Sequence, residues 1–67
     1  MDNLQELRNL VDLLEIDLTK FYKKGNKAAS IRARKTLQDI KAQAQIIRMD
    51  ISQTRAEREF QKKIQSL

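Results

Sequence analysis

Apolar residues recur at spacings of three and four through the first third of the chain. This spacing gathers them on one face of an α-helix, and it predicts a first helix over residues 3–23. Asp2 or Asn3 can cap the start of this helix, and Glu6 in its first turn suits the helix dipole. The apolar residues of this face are Leu4, Leu7, Val11, Leu14, Leu18 and Phe21.

One glycine separates this segment from the rest of the chain, which contains no proline. Gly25 is suited to a left-handed helix stop, and Asn26 can cap a following helix. We therefore predict a turn over residues 24–26 and a second helix over residues 27–64. A connection this short favours an antiparallel pair of neighbouring helices.

The second helix carries two apolar seams on nearly opposite faces. The first seam, which we expect to pack on the first helix, comprises Ala29, Ala33, Leu37, Ile40, Ala44, Ile47 and Ile51. The later seam includes Ala42 and the residues that we predict as an oligomer interface, namely Ile46, Met49, Ala56, Phe60, Ile64 and Leu67. The pattern thus predicts an all-α fold, with residues 1–67 as a single domain. This domain is an antiparallel hairpin with a short first and a long second helix, dimerising into a helical bundle or coiled coil.

The composition excludes several classes of function. The chain has no Cys and no His, which rules out disulfides and the usual zinc sites. We find no Gly-rich loop and no metal-spaced carboxylate cluster, so we expect neither an enzyme nor a cofactor. No apolar run reaches the roughly 20 residues of a membrane span, and the first residues lack a signal-peptide pattern. We expect a cytoplasmic protein.

Charge is distributed unevenly along the chain, whose net charge is +5. Residues 1–19 carry five acidic residues and one basic residue, whereas residues 20–48 carry nine basic residues and one acidic residue. Residues 20–35 alone hold seven cations and no anion. This middle block favours a polyanionic partner.

Six basic residues of the second helix follow one another at intervals of seven: Lys27, Arg34, Lys41, Arg48, Arg55 and Lys62. We call them the basic stripe and expect them to share one face, about 10.5 Å apart along the helix axis. That spacing suits a sugar–phosphate backbone. Free amides of Lys27 to Ala29, with Ser30 and Arg32 nearby, would add a phosphate site.

Two structural interpretations of these features stay open. The stripe flanks the first seam, where interhelical salt bridges are common, and Arg34 would lie near Glu15 in an antiparallel hairpin. Phe21 and Tyr22, beside the turn, either close one end of the core or stack on a base.

The segment GNKAASIRARK, residues 25–35, resembles the bacterial linker-histone-like family of small nucleoid proteins, known from chlamydial histone-like proteins and short Bacteroidetes relatives. The resemblance covers roughly residues 7–50 and includes Arg48. The matching residues of the segment are Gly25, Asn26, Lys27, Ala28, Ala29, Arg32, Arg34 and Lys35. Many relatives carry a disordered, Lys/Ala-rich tail, whereas residues 51–67 have a helical pattern and are nearly neutral here.

The resemblance implies DNA binding and organisation of the nucleoid. With the charge pattern, it leads us to expect non-specific binding of double-stranded DNA by a homodimer or higher oligomer. The expected DNA-binding residues are Lys23, Lys24, Asn26, Lys27, Arg32, Arg34, Lys35, Lys41 and Arg48. The leading alternative is a coiled-coil interaction module whose basic stripe pairs with an acidic partner. A basic amphipathic helix on a membrane is disfavoured because Asp39, Asp50, Glu57 and Glu59 interrupt its polar face.

Overall fold

The computed structural model describes residues 2–65 as two α-helices, α1 over Asn3–Lys24 and α2 over Lys27–Gln65. No strand occurs in this range. The prediction of an all-helical chain with a short first and a long second helix is confirmed. Leu67, the last residue of the predicted interface, lies outside the described residues.

Both ends of α1 are capped by the residue types that helix physics favours. Asp2 is the N-cap, and its Oδ1 accepts a hydrogen bond of 2.7 Å from the backbone amide of Gln5. At the other end Gly25 adopts φ +65°, a left-handed conformation that glycine takes at little cost. The Gly25 amide donates to the Phe21 carbonyl at 2.8 Å, which ends the helix and reverses the chain.

The second helix starts immediately after this reversal. The side-chain oxygen of Asn26 accepts a bond of 3.1 Å from the Ala29 amide, and its carbonyl accepts one of 3.3 Å from the Ser30 amide. Asn26 is therefore the N-cap of α2. With no proline or glycine beyond this point, α2 continues for 39 residues.

Two side-chain contacts show that the helices run antiparallel. Near the turn, Arg32 Nε lies 3.2 Å from Asp17 Oδ1. At the start of α1, Gln43 Nε2 donates to the Asn3 carbonyl at 2.9 Å. Since α1 begins opposite Gln43, the later part of α2 extends beyond it as an overhang, residues 48–65. The molecule is accordingly a rod with extents of 64 × 16 × 15 Å.

The contact between the helices is narrow. Within residues 2–65, the buried side chains are those of Ala29, Ala33 and Gln43, and no large apolar side chain is buried. The small alanines allow a close approach of the two backbones, so residues at the edges of the contact remain open to solvent.

The predicted first seam of α2 was partly wrong. Leu37 and Ile51 were expected against α1, but both are exposed. Half-buried Thr36 and buried Gln43 take positions on the inner face instead. Leu37 lies at the edge of the inner face of α2, and Ile51 lies in the overhang, where no part of α1 can cover it. The seam's other members, Ala29, Ala33, Ile40, Ala44 and Ile47, are buried or half-buried.

The later seam of α2 is open along its described length. Ile46, Met49, Ala56, Phe60 and Ile64 are all exposed. Its role as an oligomer interface stays a prediction.

Candidate nucleic-acid interface

Lysines surround the end of the rod at which the chain turns. Lys23 and Lys24 occupy the last turn of α1, where cations are favoured by the helix dipole, and Lys27 opens α2. All three side chains are exposed, and none makes an ion pair within residues 2–65. Lys20, one turn earlier, is exposed as well. The turn therefore presents a concentrated positive potential with no local acid to neutralise it.

The helix N-terminus at this turn is less available than the sequence indicated. The amide of Ala29 was expected to be free, but Asn26 occupies it as the helix cap. The hydroxyl of Ser30 is also engaged, donating to the Lys27 carbonyl at 2.6 Å. Asn26 therefore serves the fold with its side-chain oxygen and has only its NH₂ group to offer a ligand.

Three basic side chains form ion pairs with nearby carboxylates in the described residues. Arg32 meets Asp17 across the helices, Lys35 meets Asp39 within α2 at 3.3 Å, and Arg55 meets Glu59 at 3.2 Å. The expected proximity of Arg34 and Glu15 gives no ion pair in the described residues. The interhelical pair uses Arg32 instead, because Arg32 borders the inner face of α2 whereas Arg34 is turned away from α1.

The basic stripe was expected to lie on one face of α2 with a slow drift, and this stays a prediction. Each step of seven residues rotates the side chain by about 20°, so the five steps amount to about 100°. The stripe therefore winds about a quarter turn around α2, starting from the side opposite α1 at Lys27. The stripe members Lys27 to Arg55 are exposed, as is Lys62.

Two aromatic rings lie at the same end of the rod. Phe21 and Tyr22 have ring centroids 5.2 Å apart, tilted by 57°. Phe21 sits at the margin of the helix contact, whereas Tyr22 is 77% exposed. Tyr22 is therefore free to touch a ligand bound at the lysines.

Two residues with structural roles escaped the sequence analysis. Asp17 lies in an acidic segment that resembles an ordinary solvated surface, yet its side chain is only 14% exposed and it holds Arg32. Nothing in the sequence pattern marks Gln43 as a buried residue, yet its side chain donates a hydrogen bond to the carbonyl of Asn3, the first residue of α1. The signal available for Asp17 was its position one residue before Leu18, on the edge of the apolar face.

Neither metal nor membrane features accompany the basic surface. Across residues 2–65 there is no group of three or more His, Cys, Asp or Glu residues that could hold a metal ion. In the same range neither helix is long and apolar enough to cross a bilayer.

The fold and the surface define a class: a small, basic, all-helical protein whose charge is gathered at one end and along a rod. The model of the family described as histone H1-like protein Hc1 matches residues 1–57. The chain belongs to this bacterial histone-like family, which consists of DNA-binding structural proteins and is not known for enzymes. The resemblance that residues 25–35 carry is thereby confirmed. No curated protein and no solved structure matches the chain.

Proposed function

We propose that this protein binds the phosphate backbone of double-stranded DNA with little sequence preference and helps to organise the bacterial nucleoid. Membership of the histone H1-like family supports DNA as the partner. The observation that carries the proposal is the lysine-rich end of the hairpin. There Lys23, Lys24 and Lys27 are exposed and unpaired within the described chain.

The arrangement favours contacts with phosphates over the reading of bases. A recognition helix presents several polar side chains from its first turns to base edges in the major groove. The first turn of α2 offers Lys27, Ala28 and Ala29, and the last of these is buried against α1. Lysine and arginine at intervals of about 10.5 Å along a rod instead match a charged backbone, which carries no sequence information.

The expected DNA-binding residues differ in whether they must first break an ion pair within the chain. Lys23, Lys24, Lys27 and Arg34 can meet phosphate directly, with Lys41 and Arg48 extending the surface along α2. Arg32 and Lys35 must first leave Asp17 and Asp39, which lowers the gain from each contact. Asn26 contributes through its NH₂ group while its oxygen caps α2.

The helical body would supply this affinity. Residues 51–65 are helical, and their acidic residues Glu57 and Glu59 offset part of the basic charge there. The strongest positive potential therefore lies at the turn, at the opposite end of the rod from the overhang.

We further propose that the protein acts as a homodimer. Two alanines and one glutamine are the buried residues of the described range 2–65, which gives the hairpin little core to stabilise it alone. A second copy would cover exposed apolar side chains and place two lysine-rich turns on one particle.

Fluorescence anisotropy with a short labelled duplex tests the site with a matched pair of variants. Lys23→Gln with Lys24→Gln removes two cations from the last turn of α1, and Lys62→Gln with Lys63→Gln removes two from the last turn of α2. Both variants lose two positive charges from the last turn of a helix, where cations are favoured by the helix dipole. We expect the first variant to weaken binding at least about tenfold and the second by less than about threefold.

The opposite ranking would place the DNA site on the overhang. Equal small losses in both variants would refute a site at the turn. Absence of binding by the unaltered chain would favour the alternative function, an interaction module whose basic stripe pairs with the acids of a partner protein. Its exposed apolar side chains would then contact that partner.

A further inference from the structure

The hairpin exposes apolar side chains on both helices at intervals of seven residues. On α1 these are Leu4 and Val11, followed by half-buried Leu18. On α2 they are Leu37 and Ile51, with half-buried Ala44 between them. Val11 is 46% exposed and Leu37 48%, so the hairpin alone covers only half of each. Side chains repeated at this interval are typical of helices that pack on further helices.

The ion pair between Asp17 and Arg32 shows that these two rows lie on the same side of the hairpin. At 100° per residue, Val11 and Leu18 lie on the edge of the inner face of α1 opposite to Asp17. Leu37 and Ala44 lie on the edge of the inner face of α2 opposite to Arg32. Two packed helices meet along two edges. Because Asp17 and Arg32 meet along one of them, the edge of α1 with Val11 and Leu18 adjoins the edge of α2 with Leu37 and Ala44 along the other.

The two rows therefore form one apolar surface that spans both helices, which we call the paired-helix face. Its members are Leu4, Val11, Leu18, Leu37, Ala44 and Ile51. A groove lined by Val11, Leu14, Leu18 and Tyr22 runs along its α1 side. The face ends at Ile51, because the following residues along that edge are the charged Arg55, Arg58 and Lys62.

We propose that a second copy of the chain covers the paired-helix face, with α1 of each copy lying over α2 of the other in a four-helix bundle. Charge selects this arrangement. Arg34, Lys41 and Arg48 border the face along α2, whereas the charged residues that border it along α1 are Glu15 and Arg8. Placing α2 over α2 would oppose two basic stripes, whereas placing α1 over α2 brings Glu15 opposite Arg34 and leaves Arg8 and Lys41 as the like charges at the same level.

A twofold axis parallel to the helices gives this arrangement and keeps the stacked helices antiparallel. The Asn3–Gln43 and Asp17–Arg32 contacts set the heights along the rod, so that Val11 lies level with Leu37. Each Val11 then packs against the Leu37 of the other copy, and Glu15 approaches Arg34 across the interface. Glu15 and Arg34 make no ion pair within the described chain, which leaves both available, and in the dimer Arg34 would have to leave Glu15 before it meets a phosphate.

This arrangement brings the two lysine-rich turns together at one end of the bundle. It also leaves the later seam outside the interface, since Met49 and Phe60 lie on another side of α2. The paired-helix face and the later seam are thus competing locations for self-association. The face on both helices is favoured because it continues the existing core, whereas the later seam occupies α2 alone.

Disulfide trapping in the full chain distinguishes the arrangements, because the natural sequence has no cysteine to interfere. Val11→Cys protein is mixed with Leu37→Cys protein, allowed to exchange subunits and oxidised. A Met49→Cys and a Phe60→Cys protein, treated in the same way, serve as controls. We expect the mixed Val11–Leu37 disulfide to exceed either homodimer at least about fivefold, because proximity sets the rate of bond formation.

Two results would overturn the proposal. Predominant homodimers of Val11→Cys and of Leu37→Cys would indicate that each helix stacks on its own copy. Rapid disulfides in the control proteins, with none between Val11→Cys and Leu37→Cys, would place the interface on the later seam.

Sedimentation equilibrium provides a second readout that does not involve cysteine. Val11→Glu should raise the dimer dissociation constant at least about tenfold, whereas Phe60→Glu should leave it unchanged. Circular dichroism at increasing concentration shows whether Val11→Glu still folds, because helix lost through dissociation returns when the dimer re-forms. An unaltered chain that stays monomeric at micromolar concentration would refute the proposal while leaving DNA binding to be decided by its own assay.

Discussion

In the proposed complex Asp17 would compete with DNA for Arg32, so removing the Asp17 carboxylate is expected to strengthen DNA binding. Arg32 Nε lies 3.2 Å from Asp17 Oδ1, and the arginine side chain remains 52% exposed. Asp17→Asn removes the competing charge while keeping the size of the side chain. We expect this nearly isosteric substitution to strengthen binding to DNA, because the released guanidinium of Arg32 can meet a phosphate.

The size of the effect follows from counterion release. One additional phosphate contact steepens the slope of log K against log salt by about 0.9, and at 0.1 M salt this corresponds to about an eightfold gain relative to 1 M. Two protomers double the change in slope to about 1.8. The stability lost with the ion pair should be no more than about 1 kcal/mol, because half of the arginine is already in water.

A matched control separates the release of Arg32 from the general effect of charge. Asp12→Asn also removes one negative charge from α1, but Asp12 is exposed and makes no ion pair in the described residues. Anisotropy titrations of both variants should show a steeper salt slope for Asp17→Asn than for Asp12→Asn. Equal slopes would show that Arg32 does not reach DNA, and weaker binding by Asp17→Asn would show that the pair is needed to hold the site together.

Two further substitutions test the hairpin itself by urea denaturation followed by circular dichroism. Gly25→Ala should cost about 1 kcal/mol, since φ is +65° and a Cβ there would meet nothing within 4 Å; a cost above about 3 kcal/mol would instead indicate a close contact at the turn. Ala29→Leu should destabilise by about 1–3 kcal/mol because Ala29 is fully buried between the helices. Ala28→Leu, at an exposed neighbour, should be nearly neutral, and equal stability of the two leucine variants would contradict the close helix approach at Ala29.

The helices and the turn of this chain are determined by interactions between residues close in sequence, which explains why they could be predicted. The spacing of leucines fixes α1, Gly25 can adopt the left-handed conformation that ends it, and Asn26 has the side chain that caps α2. Each of these signals acts within four residues, so no knowledge of the tertiary structure is needed to interpret it.

The interhelical details depend on the rotation of each helix about its axis, which local signals do not fix. With Ala29 and Ala33 packed against α1, α2 is rotated about its axis such that Gln43 is buried and Leu37 lies at the edge of the contact. The same rotation selects Arg32 rather than Arg34 as the partner of an α1 carboxylate. A basic residue near a predicted helix contact is therefore identifiable from sequence, but its partner is not.

The most direct test of phosphate-backbone binding is the salt dependence of affinity for several unrelated duplexes of equal length. With four to six phosphate contacts from each of two protomers, log K should fall linearly with log salt with a slope of about −7 to −11. Slope and affinity should be nearly the same for every sequence. A slope close to zero, or affinities that differ strongly among the duplexes, would contradict the account.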